Sequence, residues 1–234
     1  PCKVPGRSAA GRSLANQLLE ALAVQFLGIR PSLAGDTEDL PGFDQVRQDS
    51  VASWEDFWSS GAVIDLSGTA DPRARELERR IVLSEYLTAI NCAGSIPPQE
   101  TGLTFNSWHG KFHLEMHWWH AAHFALWGRT EMLERSLPWY ARVLDRARET
   151  ARRQGYRGAR WGKMVDPDGR ESPSGVGPFL VWQQPHPIYY AELVYRARRD
   201  ERVLQEMAEV VFAPAEFMAS YPHLDRMRNR YVLG

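Results

Sequence analysis

Between Asn106 and Arg129 the chain reads NSWHGKFHLEMHWWHAAHFALWGR, and this segment holds five of the seven histidines and four of the nine tryptophans. One carboxylate, Glu115, stands among them. Three readings compete for so many rings. The plainest is that each histidine is buried and hydrogen-bonded to its surroundings. A second is a metal centre, since His113 and His117 are spaced four apart as in helical zinc sites, with His120 one turn further. In that pattern a working Glu directly follows the first His. Here Glu115 is two residues on, and along a continuous helix at about 100° per residue it points about 200° from His113. Cysteine and a second carboxylate are missing at ligand spacing, so no metal and no cofactor is expected.

The third reading is a carbohydrate pocket. Sugars present C–H faces that rest on indole rings and hydroxyls that need dense polar partners. Asn106, Trp108, His109 and Lys111 at the mouth of the segment, with His113 and Glu115 just inside, supply such groups. Trp118, Trp119 and Trp127 read as packing. Glu115 is a candidate catalytic carboxylate; it also fits a sugar-holding role, or a structural one paired with Lys111 in a first helical turn. A further set of polar and aromatic residues, Arg160, Trp161, Lys163, Gln183, Gln184 and His186, falls in an irregular stretch between Gly155 and Pro187. That stretch is too long for an ordinary helix connection, which marks it as a working loop.

The elements that position these residues read as helices. Apolar residues recur at helical steps over 12–29 (Leu14, Leu18, Leu22, Phe26) and over 71–92 (Leu77, Ile81, Ser84, Leu87), the latter opened by Asp71-Pro72. One or two helical turns around 50–61 carry Trp54, Phe57 and Trp58 toward a core. Further helices are expected over 111–127, stopped by Gly128, and over 138–154, capped by Gly155. A pair over 187–199 and 200–220 follows, the second kinked at Pro214. From Met116 to Gly128 there is no charged residue, so the 111–127 helix is expected to be buried all round, as an inner helix of an all-α fold. No segment alternates with period two, and only PFLVW resembles a strand.

Composition narrows the function. With 28 Lys plus Arg against 29 Asp plus Glu, the chain has no positive field to attract nucleic acid. It has no apolar run long enough to span a membrane. The two cysteines, Cys2 and Cys92, form no disulfide framework and select no compartment. The chain opens without Met or a signal-peptide core, and it reads as a piece of a longer protein.

Three ordered segments, GKFHLEMHWWHAAHFALWGR, GYRGARWGKMVDPDGRE and PHPIYYAELVYR, resemble successive parts of the six-hairpin glycosidases, nearest to glycoside hydrolase family sixty-five, the disaccharide phosphorylases and hydrolases of maltose, trehalose or kojibiose. The resemblance covers about residues 78–196. It implies consecutive helical hairpins forming part of an (α/α)6 toroid, with 1–70 as an N-terminal helix and linker region and 71–234 as a partial catalytic domain. The implied function is cleavage of an oligosaccharide glycosidic bond, with inversion. A disaccharide phosphorylase and a non-catalytic carbohydrate-binding protein on the same fold are the alternatives. The family's inner-helix motif is Trp-Asp-Thr-Glu. Here Phe112-His113 replace its sugar-gripping Trp-Asp pair and only Glu115 coincides, so its sugar specificity does not carry over. Its general acid would lie beyond Gly234.

Overall fold

The computed structural model describes residues 40–102 and 107–233. The helix expected over 12–29 and the site candidate Asn106 lie outside them. The chain divides into two units, Pro1–Glu55 and Asp56–Gly234, with the division falling inside the first described helix, α1 (Phe43–Ser59). The first unit's described part is the exposed start of α1, where Gln45 Nε2 donates to Asp49 Oδ1 at 2.8 Å.

The second unit is mostly helical, as expected. Its helices are α2 (Ala74–Cys92), α3 (Leu114–Leu126), α4 (Thr130–Glu134), α5 (Pro138–Arg142), α6 (Leu144–Arg153), α7 (His186–Arg198) and α8 (Glu201–Ser220). Four short strands accompany them: β1 (Phe112–His113) pairs antiparallel with β2 (Met164–Val165), and β3 (His223–Asp225) with β4 (Arg230–Val232). The helix expected over 138–154 is two helices, with Val143 at φ −105°, ψ 13° breaking the run between α5 and α6.

Each helix forms for a legible reason. α6 buries Leu144, Ala147 and Ala151, spaced three and four apart, and turns Asp145, Arg146 and Arg148 to solvent. α7 and α8 make a hairpin closed by Arg199 in the left-handed region, after which the Asp200 side chain caps α8 by accepting from Arg202 N. Pro214 lies inside α8 and is buried with Ala213 and Phe217. There the Gly158 loop crosses close to the helix: Ala159 N donates to Ala213 O at 3.0 Å, and a Cβ on Gly158 would sit 2.1 Å from that oxygen. Only glycine fits this approach, and its φ of 68° suits glycine as well.

The core joins α3 through α8, with Phe124, Leu133, Trp139, Tyr140, Trp161 and Tyr190 all nearly inaccessible. α2 is different. The apolar stripe that marks it as a helix leaves Leu77 and Leu87 exposed, and the helix buries Glu85 and Cys92. Burial pushes the Cys92 thiol up to about 12, which makes it inert. Glu85 is held by Arg129, whose Nη1 meets Glu85 Oε2 at 3.0 Å while its other guanidinium nitrogens donate to Phe57 O. The guanidinium lies 4.1 Å from the Phe57 ring centroid. Burial raises the Glu85 carboxyl and Arg129 opposes that shift. Arg129 therefore ties the end of α1 and the middle of α2 to the α3–α4 corner.

The wholly buried α3 expected from its lack of charge is also corrected. His117, Ala121 and Phe124 are buried, yet Trp119 and Leu126 are 66% and 69% exposed. The absence of charge excluded neither exposed indole nor exposed leucine. Trp119 therefore is not core packing. Trp118 is half-buried and stacks on Tyr189, and Trp127 is half-buried beside Arg80 and His123.

Candidate functional site

The helix α3 begins at Leu114 rather than Lys111. His113 is the residue before it, in β1, with φ −106° and ψ 88°. The helical wheel that separates His113 from Glu115 therefore does not apply, and the two side chains meet: His113 Nε2 lies 3.0 Å from Glu115 Oε1. Three strand-like segments bring this about. Phe112 and His113 pair with Val165 and Met164, Leu114 N donates to Lys163 O at 2.8 Å, and Gln99 bridges to Phe112 from the other side. This register sets Glu100 beside His113 and Lys163 beside Glu115.

The result is a linear arrangement of four side chains. Glu100 Oε2 lies 3.2 Å from His113 Nδ1, His113 Nε2 is next to Glu115 Oε1, and Lys163 Nζ meets the same Glu115 oxygen at 3.0 Å. The imidazole is 4% exposed, whereas Glu115 and Lys163 are each 17% exposed and Glu100 22%. Both ring nitrogens of His113 are within ion-pairing reach but off the line that a hydrogen bond requires. The expected partner of Glu115, Lys111, is replaced by Lys163. A carboxylate paired with an ammonium at this distance is an acceptor, and its remaining lone pairs can receive ligand hydroxyls.

Aromatic rings flank the pair. Trp108 is 56% exposed, with its ring centroid 6.0 Å from that of His113. It is held out by an unusual turn in which Trp108, His109 and Gly110 all have positive φ (50°, 61° and 69°). Left-handed backbone costs about 1–2 kcal/mol per non-glycine residue, so the turn stores strain where a ring is presented. His109 and Gly110 are exposed and Lys111 is half-buried. On the other side Trp182 is 53% exposed, 5.9 Å from Lys163 Nζ. His186 opens α7, and its Nδ1 faces Leu114 O at 3.4 Å. Burial lowers the His186 pKa, opposed by the Leu114 carbonyl and by Glu115.

The remaining candidates stand behind this surface. Arg160 is buried, with Nη1 3.3 Å from Glu171 and Nη2 donating to Gly177 O at 2.7 Å and Leu180 O at 3.3 Å. Gln184 spans the Trp161 backbone, accepting from its N–H at 3.1 Å and donating to its carbonyl at 2.7 Å. Gln183 donates to the same carbonyl at 3.3 Å. These four residues fix the long loop against the core, while Arg160 Nε, Trp161 Nε1 and Gln183 Oε1 are buried without a hydrogen-bond partner among the described residues.

The histidines of the metal reading diverge. His117 is enclosed, with Nδ1 2.8 Å from Tyr140 Oη and Nε2 3.0 Å from Ser136 Oγ, and burial pushes its pKa down to about 3. His120 donates from Nε2 to Glu100 O at 2.8 Å, and His123 to His120 O at 3.1 Å. Among the described residues no three His, Cys, Asp or Glu side chains come together as a metal would need.

Glu100 is the residue that sequence reasoning missed. It lies in SIPPQETGLTFNS, read as a connector, and its signal was a carboxylate placed just before the histidine-rich segment. Compared with known proteins, the chain matches no family model and no curated protein.

Proposed function

We propose that the second unit is a glycoside hydrolase domain whose saccharide site is centred on Glu115 and Lys163. The observation that carries this reading is the setting of that ion pair: it reaches solvent, touches the buried His113, and has the exposed Trp182 ring centroid 5.9 Å from Lys163 Nζ and the exposed Trp108 ring 6.0 Å from that of His113. An acceptor and a donor side by side match the hydroxyls of a sugar, and indole faces match its C–H surface. The near-balance of charge, net −1, suits a neutral oligosaccharide. The consecutive helices and the α7–α8 hairpin are compatible with part of an (α/α)6 toroid, the architecture that the sequence resemblance implies.

The inverting mechanism implied by that resemblance uses two carboxyl groups about 6.5–9.5 Å apart, one ionised and one protonated. Paired with Lys163, Glu115 has the character of the ionised member, which activates water or holds the sugar. Glu100 faces His113 rather than a space opposite Glu115, so it does not take the part of the acid. That observation favours a second reading, a carbohydrate-binding protein without turnover. The deciding experiment is a screen of the whole protein against aryl glycosides and disaccharides, with and without phosphate, following both binding and product. Hydrolysis supports the first reading, phosphate-dependent cleavage a phosphorylase, and binding without product the second. Neither binding nor product on a broad set contradicts them all.

A further inference from the structure

We infer that Glu100 is a positioning residue of this site, acting through His113 on Glu115. The inference rests on the reading of Glu115 as the ligand-facing carboxylate.

Three observations support it. First, His113 is almost fully enclosed, and a carboxylate oxygen faces each of its ring nitrogens, at 3.2 and 3.0 Å. Neither contact has the alignment of a hydrogen bond, so the two carboxylates act on the ring through charge and close packing, and a change on one side alters what the ring meets from both. Second, the backbone at Glu100 is fixed. Its carbonyl accepts from His120 Nε2 at 2.8 Å, and the neighbouring Gln99 bridges to Phe112. Third, the only other charged partner of Glu115 within ion-pair reach among the described residues is Lys163, held through its carbonyl by Leu114 N. Glu115 is thus placed between a cation whose backbone is fixed and an imidazole whose far nitrogen faces Glu100. Loss of Glu100 frees Nδ1 and lets the ring turn away from Glu115, so the acceptor oxygens that meet a sugar are no longer aimed.

The test compares Glu100→Gln and Glu100→Ala with His113→Ala, and with the Glu100→Ala/His113→Ala double variant. Maltose, trehalose and cellobiose are the binding probes, and ring-nitrogen NMR of protein labelled with ¹⁵N-histidine is the second readout. Glu100 is partly exposed, so thermal melting of the single variants is expected to stay near that of the parent. Expected are a shift of the His113 ring signals in both Glu100 variants with His117 unchanged, and affinity about tenfold weaker in Glu100→Ala. The double variant is expected to bind no more weakly than His113→Ala alone, because coupled residues are not additive. A merely structural role would lower melting without this coupling. Unmoved His113 signals, or independent and additive losses, overturn the inference. If the parent protein binds none of the probes, the saccharide reading fails, and the His113 signals still decide whether Glu100 sets the ring.

Discussion

His113 and His117 are four residues apart and have opposite surroundings. His117 is sealed in the core between Tyr140 and Ser136, its two nitrogens matched by neutral hydroxyls. Such a ring needs no charge and is kept from acquiring one, since burial holds its pKa near 3. His113 is nearly as buried, but it faces carboxylates on both sides and lies directly behind an ion pair that reaches solvent. A buried histidine satisfied by hydroxyls holds a fold together. One set between two partly exposed acids is placed to orient them. Sequence spacing alone does not separate these two fates; what the second nitrogen meets does.

The contrast has measurable consequences, the largest on the core side. His117→Ala leaves a cavity and strands the Tyr140 and Ser136 hydroxyls. It is expected to cost about 3 kcal/mol, or roughly 6–12 °C in Tm, by thermal or denaturant unfolding. Next comes pH. The ordinary histidine pKa is about 6.5, and that of folded His117 is about 3, so between those values the unfolded chain binds a proton that the folded chain does not. Stability is therefore full above about pH 6.5 and declines as pH falls toward 3, by about 1 kcal/mol per pH unit from this group. Burial lowers His120, His123 and His186 as well, so their contributions have the same sign. Unfolding measured from pH 7 to 4.5 checks this, and His117→Asn is expected to flatten the slope; an unchanged slope would show that His117 is not the group titrating.

On the site side the expected stability effects are small. Lys163→Met is expected to cost about 1–2 kcal/mol of unfolding free energy, more than a fully exposed ion pair because each side chain is only 17% exposed, and less than His117→Ala. The same change should weaken disaccharide binding, so a variant that melts normally and binds normally removes Lys163 from the site. Smallest of all, His109→Gly relieves a left-handed residue and is expected to raise stability by about 1 kcal/mol. A loss instead would mean that the His109 side chain makes a contact worth more than the strain.

Much of the helical fold was legible. Gly155 marks the end of α6, the expected pair over 187–199 and 200–220 matches α7 and α8 closely, and the long loop after α6 stood out by its length. The start of α3 was not. Lys111, Phe112 and His113 continue the helical spacing of the residues after them, but pairing of β1 with β2 takes Phe112 and His113 into extended backbone. Two residues of strand move His113 from the far side of a wheel to contact with Glu115. Glu100 was hidden for a related reason: its place depends on a bridge between segments distant in sequence. The polar residues Arg160, Gln183 and Gln184 were legible as important but not as buried, since a loop folded onto a core uses such groups on its own backbone. The apolar stripe of α2 also followed the helical period without being buried, because periodicity records a face and not what covers it.

Under the proposed function Glu115, beside His113 and paired with Lys163, receives a sugar. The most direct test is isothermal titration of maltose, trehalose and cellobiose into the parent protein and into Glu115→Gln, with melting of both recorded. Glu115→Gln keeps the side-chain shape and removes the charge. Saturable binding by the parent is expected, with at least about tenfold weaker binding by the variant at nearly unchanged Tm. Equal binding by the two proteins, or none by the parent, would contradict this reading.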